Sequence, residues 1–238
     1  MFQTKGVQIT WLGHSAFRVR SGGKVFYIDP FLSQNPKCPE SERNPAAVDA
    51  ILLTHGHADH VGDTLALARH GQPKVLGNYE LSLYLAGRGV PAAQLVGMGK
   101  GGTAAVAGAK VTMVHADHSS SMEQDGVSLY LGEPAGLVIE FAEGLRLYHA
   151  GDTAVFGDMK LIGEIYRPDV ALLPIGDFYT MGPLEAAHAC RLLGVGAVIP
   201  MHYGTFPALA GTPAELKRRL AELGVPCEVV ELQPGQTL

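Results

Sequence analysis

The sequence lacks the features that mark membrane, secreted and nucleic-acid-binding proteins. Its 238 residues contain no apolar run long enough to span a bilayer, and the first residues lack the basic and apolar regions of a secretory signal. It has no run of Lys or Arg, and its formal net charge of −5 counts against a surface that binds nucleic acid. We therefore expect a cytoplasmic protein, without membrane contact, whose partner is a small-molecule substrate.

Cysteine is also scarce. Cys38, Cys190 and Cys227 are odd in number and far apart in the sequence, and no C-x-x-C pair occurs. This pattern predicts neither a disulfide framework nor a thiolate zinc site. Of the three, Cys38 lies in a polar loop and is the candidate for a reactive thiol.

Hydrophobic residues make up 47% of the chain and charged residues only 17%, which is typical of a compact globular protein. We predict one domain over residues 1–238, and the sequence leaves a homo-oligomer open. Residues 97–103 are rich in glycine and superficially resemble a phosphate-binding loop. Because glycine and not Ser or Thr follows Lys100, a hairpin turn is the better interpretation.

The strand pattern indicates an internal repeat. Residues 24–29 precede the apolar run 48–53 much as residues 145–152 precede the run 168–173, and a helix pattern follows each. Two similar β-rich halves would pack sheet on sheet, with helices outside and strand ends at a shared edge. The predicted fold is therefore α/β with two packed sheets.

The segment Thr54-His55-Gly56-His57-Ala58-Asp59-His60 is the most chemically loaded part of the chain. It places four candidate metal ligands in six residues, directly after an apolar strand. His55 and His57 lie two apart and face the same side of an extended turn. Asp59 and His60 fall where the chain begins to coil into a helix and are aimed elsewhere, so one turn can supply ligands to two adjacent metals.

Further candidate ligands lie at other predicted strand ends. His118 closes the segment 114–118, Asp152 follows Gly151, and His202 follows the apolar strand 197–200. Such positions on one edge of a sandwich are where a two-metal site would gather its ligands. His149 lies inside a predicted core strand and is interpreted as a structural histidine.

These motifs together resemble the metallo-β-lactamase fold superfamily. The motifs that support this resemblance are H-x-H-x-D-H, a later histidine, the aspartate of Gly-Asp-Thr and a final histidine after a strand. Further segments, among them residues 11–15, 28–30, 115–120, 179–183 and 200–207, resemble the UlaG-like branch of metal-dependent hydrolases. This resemblance covers nearly the whole chain and implies a four-layer αββα sandwich built from two similar halves.

The resemblance also implies a ligand set for two divalent metal ions. One ion would be held by His55, His57 and His118, the other by Asp59, His60 and His202, and Asp152 would bridge them; His115 is the alternative to His118. Histidine-rich ligation favours zinc, while the carboxylates keep manganese or iron open. Where diiron members of the superfamily carry Glu, this chain has His57, which favours hydrolysis over redox chemistry.

Two metal ions that share a water lower its pKa and give a hydroxide nucleophile at neutral pH. The expected activity is therefore hydrolysis of a small ester, lactone or phosphodiester, with Asp59 and Asp152 as the catalytic carboxylates. Alternatives are a phosphodiesterase or nuclease acting on RNA ends, and a non-catalytic protein that senses a metal or ligand on the same scaffold.

Other residues are candidates for supporting roles. His14, Asp29 and His115 are predicted to orient ligands from outside the coordination sphere, although Asp29 is equally explained by hydrogen bonds to loop amides. Thr180, Met181 and Tyr203 are predicted to face the substrate, with packing at strand ends as the alternative.

Overall fold

A computed structural model of the chain describes residues 2–238. The first sheet has the strand order β1 to β6, with the bounds Gln8–Trp11, Phe17–Ser21, Lys24–Ile28, Ala50–Leu52, Lys74–Asn78 and Leu95–Met98. The second sheet has the order β15-β14-β13-β12-β11-β8-β7, with the bounds, in chain order, Thr103–Val106, Ala109–His115, Ala135–Glu140, Arg146–His149, Val170–Pro174, Ala197–Met201 and Glu228–Val229. A separate hairpin joins β9 (Ser121–Gln124) to β10 (Val127–Tyr130).

Six α-helices lie within residues 2–238. Helices α1 to α6 span Ala58–Val61, Thr64–Arg69, Tyr79–Gly87, Met159–Tyr166, Pro183–Leu193 and Pro213–Glu222, and a short 3-10 turn covers Glu40–Glu42. None of the helices in residues 2–238 is both long and apolar enough to cross a lipid bilayer.

The layers follow from which faces are apolar. One buried cluster takes side chains from both sheets, such as Phe26 and Leu52 of the first and Leu147 and Ile199 of the second, so it lies between them. A second cluster joins the outer face of the second sheet to α4, α5 and α6, and a third joins the outer face of the first sheet to α2 and α3. The predicted four-layer αββα sandwich is confirmed.

The internal repeat is present in the strand pairing. In the first sheet β3 runs parallel to β4, with Phe26 opposite Ala50. In the second sheet β12 runs parallel to β13, with Leu147 opposite Val170. Each half therefore changes from antiparallel to parallel pairing at corresponding strands, which brings the carboxyl ends of the parallel strands to one edge.

Two predictions of local structure are wrong. Residues 97–103 do not form a hairpin turn, because β6 before them belongs to the first sheet and β7 after them to the second, so this glycine-rich segment crosses between the layers. Cys38 is not a reactive loop thiol: its side chain is buried, and burial raises the pKa of the thiol to about 11.

The C-terminal residues cover the outer edge of β1. Ile9 and Leu238 exchange backbone hydrogen bonds of 3.1 and 2.9 Å, and Trp11 N donates to Gln236 O at 3.2 Å. Trp11 also stacks on Tyr203, with the ring centroids 5.2 Å apart. This contact links the edge of the first sheet to the segment that follows β14.

Candidate metal centre

The ligand motif begins where β4 ends. All three residues of β4 are buried, and the chain continues through the buried Leu53 and Thr54 to His55. His57 has an extended backbone and caps α1, which carries Asp59 and His60. The motif thus changes direction between His57 and Asp59, as the sequence predicts.

Gly62 sets the position of this short helix. Its φ of 44° and ψ of −123° end α1, and an added Cβ would lie 2.4 Å from Pro30 O. Only glycine permits this close approach of the two backbones. The contact holds α1 against the segment that follows β3 and Asp29.

The predicted ligands gather into two groups. The ligand atoms of His55, His57 and His118 all lie within 4.8 Å of one another, and so do those of Asp59, His60 and His202 together with His14. The members of each group come from both halves of the chain. A third group, of Asp29, His55 and His60, meets the same criterion and overlaps both, so the division of ligands between two metals stays a prediction.

Asp152 lies between the two groups. Its Oδ2 is 3.0 Å from His202 Nε2, 3.2 Å from His60 Nε2 and 3.8 Å from His118 Nε2. The preceding Gly151 has a φ of 64°, and a Cβ there would lie 2.8 Å from Ala135 O. This turn after β12 brings the carboxylate to the meeting point of both groups.

Asp29 fixes which nitrogen of two ligand histidines faces the centre. Its carboxylate accepts hydrogen bonds from Thr54 N at 2.9 Å, from Thr54 Oγ1 at 2.6 Å and from His60 Nδ1 at 2.7 Å. Because the Thr54 hydroxyl proton is directed to Asp29, its oxygen accepts from His55 Nδ1 at 3.0 Å. The Nε2 atoms of His55 and His60 therefore face the centre: that of His60 has no hydrogen-bond partner among the described residues, and that of His55 lies 2.9 Å from His57 Nδ1.

Asp29 thus accepts from one loop amide, that of Thr54, and from a ligand histidine, so the structure contains the contacts of both interpretations. It does so with a φ of 46°, a conformation that Asp and Asn tolerate better than most residues. Burying a carboxylate costs free energy even when three donors contact it, so we expect Asp29 to have a role beyond packing.

His14 performs a similar function for Asp59. His14 Nε2 lies 3.0 Å from Asp59 Oδ2, and His14 Nδ1 lies 3.1 Å from the hydroxyl of Thr205. A Thr205 hydroxyl that donates to Nδ1 leaves the proton on Nε2, which then donates to the carboxylate. Sequence reasoning missed Thr205, whose only signal is its position three residues after His202.

The electrostatics of the site favour a bound cation. Burial and the neighbouring histidines hold the pKa of His55 well below its ordinary value, and burial also lowers the pKa of His57 and of His118. Burial opposes ionisation of Asp152, but the charges of His202 and His60 outweigh it and hold the pKa of that carboxyl well below its ordinary value. Neutral imidazoles at His55, His57 and His118 beside a carboxylate are the protonation states that bind metal. Burial opposes protonation of His60, but the charges of Asp152 and Asp29 raise its pKa well above the ordinary value, so a metal ion at this group must displace a proton from His60.

The donor set also fits a divalent metal ion. Asp152 Oδ1 and His60 Nε2 are buried and have no hydrogen-bond partner within residues 2–238. Although His60 Nε2 is close to Asp152 Oδ2, the two atoms are not aligned for a hydrogen bond. Buried polar atoms left in this way cost free energy, whereas a divalent ion coordinated by nitrogen and oxygen would satisfy both.

Two predicted residues are not brought to the centre. His115 is exposed and contacts Lys100 Nζ at 3.4 Å and the ring of Phe156, so the structure places His118 rather than His115 beside Asp152. Met181 is only 2% exposed and packs in the cluster under α4 to α6, which does not suit contact with a substrate.

The other two predicted substrate contacts, Tyr203 and Thr180, are half-buried. Tyr203 is half-buried against Trp11, and burial raises the pKa of its phenol to about 12. Thr180 is half-buried, and its Oγ1 has no hydrogen-bond partner among the described residues. Both remain predicted contacts.

Known proteins resemble this chain in sequence and in fold. A family model described as a beta-lactamase superfamily domain matches residues 24–203. A UPF0173 metal-dependent hydrolase of Rubrobacter xylanophilus is 52% identical over 235 residues, covering 98% of this chain and 96% of the relative. Another, from Methanopyrus kandleri, is 48% identical over 233 residues, covering 97% and 99%.

A solved structure agrees with these relatives. The metallo hydrolase Igni18 of Ignicoccus hospitalis has a TM-score of 0.84 and 38% identity, covering 98% of this chain and 97% of its own. The sandwich and its histidine–aspartate cluster thus define a metal-dependent hydrolase. The chain belongs to the beta-lactamase superfamily, and within it to the UPF0173 metal-dependent hydrolases.

Proposed function

We propose that the protein uses two divalent metal ions to hydrolyse a small ester, lactone or phosphodiester. The observation that carries the proposal is the position of Asp152 Oδ2, within 3.8 Å of His118 in one ligand group and within 3.2 Å of His60 and His202 in the other. A carboxylate that contacts both groups is suited to bridge two ions.

The ligand assignment follows the two groups. His55, His57 and His118 would hold one ion, and Asp59, His60 and His202 the other, with zinc favoured by the number of imidazoles and manganese or iron compatible with the carboxylates. Two ions held there would activate water and polarise the oxygen of the bond to be cleaved.

Asp59 has the geometry of a group that positions the attacking water. Its side chain is 34% exposed, and one oxygen is occupied by His14. Burial opposes its ionisation, but the hydrogen bond from His14 and the charge of His60 hold the pKa of Asp59 well below its ordinary value. Asp59 therefore stays a carboxylate, and Oδ1, the oxygen not bonded to His14, is the atom that would coordinate the second ion and orient water beside it.

The test combines metal content with activity. Wild-type protein purified and reconstituted with zinc, manganese or iron is analysed for bound metal, and is then assayed with small esters, lactones and phosphodiesters. Two ions per chain and turnover of at least one substrate class are expected.

Asp152→Asn should bind fewer than two ions and lose most activity, whereas Asp158→Asn, at an exposed helix start, should change neither. The proposal is wrong if the wild type binds one ion, or if Asp152→Asn keeps two ions and full activity.

A further inference from the structure

Three large apolar side chains are exposed on loops of the second sheet. Phe178, Tyr179 and Phe206 are 71%, 60% and 39% exposed. Phe178 and Tyr179 lie in the β13 loop, residues 175–182, and Phe206 lies in the β14 loop, residues 202–212. Within residues 2–238, the other large apolar side chains exposed to this degree lie in helices or in strand β10.

The strand order places these loops beside the predicted metal ligands. Strands β12, β13 and β14 are parallel neighbours, so the segments that follow them leave the sheet at one edge. The segment after β12 carries Asp152, and the β14 loop begins with His202. The β13 loop therefore leaves the sheet between two predicted ligands.

Backbone contacts hold the β13 loop to both neighbouring segments. A Cβ on Gly176 would lie 2.0 Å from His202 O, so glycine is required for this close approach. On the other side, Met181 N donates to Thr153 O at 3.1 Å. In the chain the two aromatic residues lie between these contacts, so they are fixed beside the segments that carry the ligands.

Phe178 is held in an unfavourable backbone conformation. Its φ of 61° lies in the left-handed region, which bulky residues rarely adopt. Phe178 N donates to Asp177 Oδ1 at 2.7 Å, and the rings of Phe178 and Tyr179 meet edge to face with their centroids 4.7 Å apart. Both rings stay exposed, so burial in the core does not explain the strain. Such strain is concentrated at sites that bind ligands.

Phe206 connects the β14 loop to the metal centre. Its ring centroid lies 5.6 Å from that of His14, in an edge-to-face contact. His14 Nε2 in turn lies 3.0 Å from Asp59 Oδ2. An apolar group in contact with Phe206 would therefore be close to a residue that positions a predicted ligand.

The two loops suit a neutral, apolar group. Neither loop contains Lys or Arg, and the β13 loop carries the carboxylate of Asp177. A phosphate would find no cationic side chain on these loops and would be repelled by Asp177, whereas a hydrocarbon group gains free energy when the rings cover it.

We propose that Phe178, Tyr179 and Phe206 form an aromatic rim that binds an apolar group of the substrate. The inference rests on the proposed hydrolysis and narrows its substrates to neutral esters and lactones that carry a hydrocarbon group. This group would lie on the aromatic rim while the bond to be cleaved lies at the centre. Rigid aromatic side chains supply contact area at a low cost in conformational entropy.

The first experiment measures binding without relying on turnover. N-ethylacetamide and N-ethylhexanamide, amide analogues of esters, are titrated into the zinc-loaded protein by calorimetry. Burial of about two methylene groups corresponds to a factor of ten in affinity, so the hexanamide should bind about 10- to 100-fold more tightly.

A double variant tests the aromatic rim directly. In Phe178→Asn/Tyr179→Ala the preference for the hexanamide should fall about tenfold, and asparagine tolerates the φ of 61°. The matched control is Tyr79→Ala, which removes a tyrosine that is 58% exposed on α3 and should keep the preference.

The second experiment compares hydrolysis of ethyl hexanoate and ethyl acetate. The ratio of the two kcat/KM values should also fall about tenfold in the double variant. A preference for the hexanamide that the double variant loses, with neither ester cleaved, would support the aromatic rim and refute the proposed hydrolysis.

Three results would overturn the inference, whether or not any ester is cleaved. Wild-type protein could bind the two amides equally, a result that does not depend on the folding of a variant. The double variant could keep the full preference. A wild-type oligomer that dissociates in the double variant, measured by light scattering, would show that the rings join two copies of the chain.

Discussion

Replacing Asp29 by asparagine would remove one buried charge from the centre with little change in side-chain size. Asparagine also tolerates the φ of 46° at this position. Its Oδ1 can still accept from Thr54 N, but Nδ2 would take the place of Oδ2, which accepts from Thr54 Oγ1 and from His60 Nδ1. The Thr54 hydroxyl can rotate to accept, whereas the His60 N–H would face another donor.

The expected loss of metal affinity follows from the lost hydrogen bond between His60 and residue 29. A hydrogen bond to a charged group contributes about 1.5–3 kcal/mol. Coordination by a metal makes the imidazole N–H a stronger donor, so much of this energy is lost from metal binding. Since about 1.4 kcal/mol corresponds to a factor of ten, we expect Asp29→Asn to weaken binding at the His60 site about 10- to 100-fold.

The assay is competition for zinc against a chromophoric chelator, with thermal melting of the metal-free protein alongside. Asp63→Asn is the matched control, because Asp63 Oδ2 accepts from the amides of Leu32 and Ser33 at 2.8 and 2.9 Å and contacts no predicted ligand in those bonds. The control should lose stability but keep its zinc affinity. Equal zinc affinity in Asp29→Asn and Asp63→Asn would refute the reasoning and leave Asp29 as an anchor for loop amides.

Three further predictions address single residues. His118→Ala should lose one of two bound ions in elemental analysis while His115→Ala keeps both, and the reverse result would move the ligand to His115. Gly62→Ala should lower the free energy of unfolding in urea by about 2–5 kcal/mol, from backbone strain and overpacking against Pro30 O. Gly108→Ala, with a φ of 88° and open space around it, should cost only about 1–2 kcal/mol, and equal losses would contradict the clash. Burial raises the pKa of Cys38 from 9.0 to about 11. At any pH near 9, a smaller fraction of Cys38 is therefore thiolate in the folded protein than in the unfolded chain. At about pH 8 its alkylation in the folded protein should be at least about 100-fold slower than in urea, and comparable rates would show that the loop opens.

The centre was predictable from the sequence because its ligands occupy positions that the chain itself marks. His55, His57, Asp59 and His60 are contiguous, and Asp152 and His202 directly follow strands whose apolar runs are easily recognised. The repeat of strand patterns gave the layers and the shared edge. These features are local or periodic, which is why they can be read without coordinates.

The parts that escaped prediction depend on contacts between distant segments. Thr205 reaches His14 only after the two sheets have packed. Met181 is buried because Asp177 and Phe178 both adopt left-handed backbone angles and reverse the chain before it. Asp is one of the residue types enriched at such angles, but Phe rarely adopts them, so the sequence does not indicate the turn at Phe178.

Some regular elements were missed for local reasons. Helix α4 has no side-chain hydrogen bond at its N-cap and contains Gly163, so the usual signals of a helix are weak. Strands β9 and β10 have mostly exposed or half-buried residues on both faces. The turn Asp125-Gly126 that joins them, with a positive φ at both residues, is a hairpin signal that sequence reasoning missed.

The hydrogen bonds between β1 and the last residues limit how the protein can self-associate. An edge strand with free N–H and C=O groups is a template for pairing with another chain, and it also invites aggregation. Here that edge is sealed by Gln236 and Leu238. An oligomer that extends a sheet from one copy to the next would therefore start from β6, β7, the two-residue β15 or the β9–β10 hairpin, and not from β1.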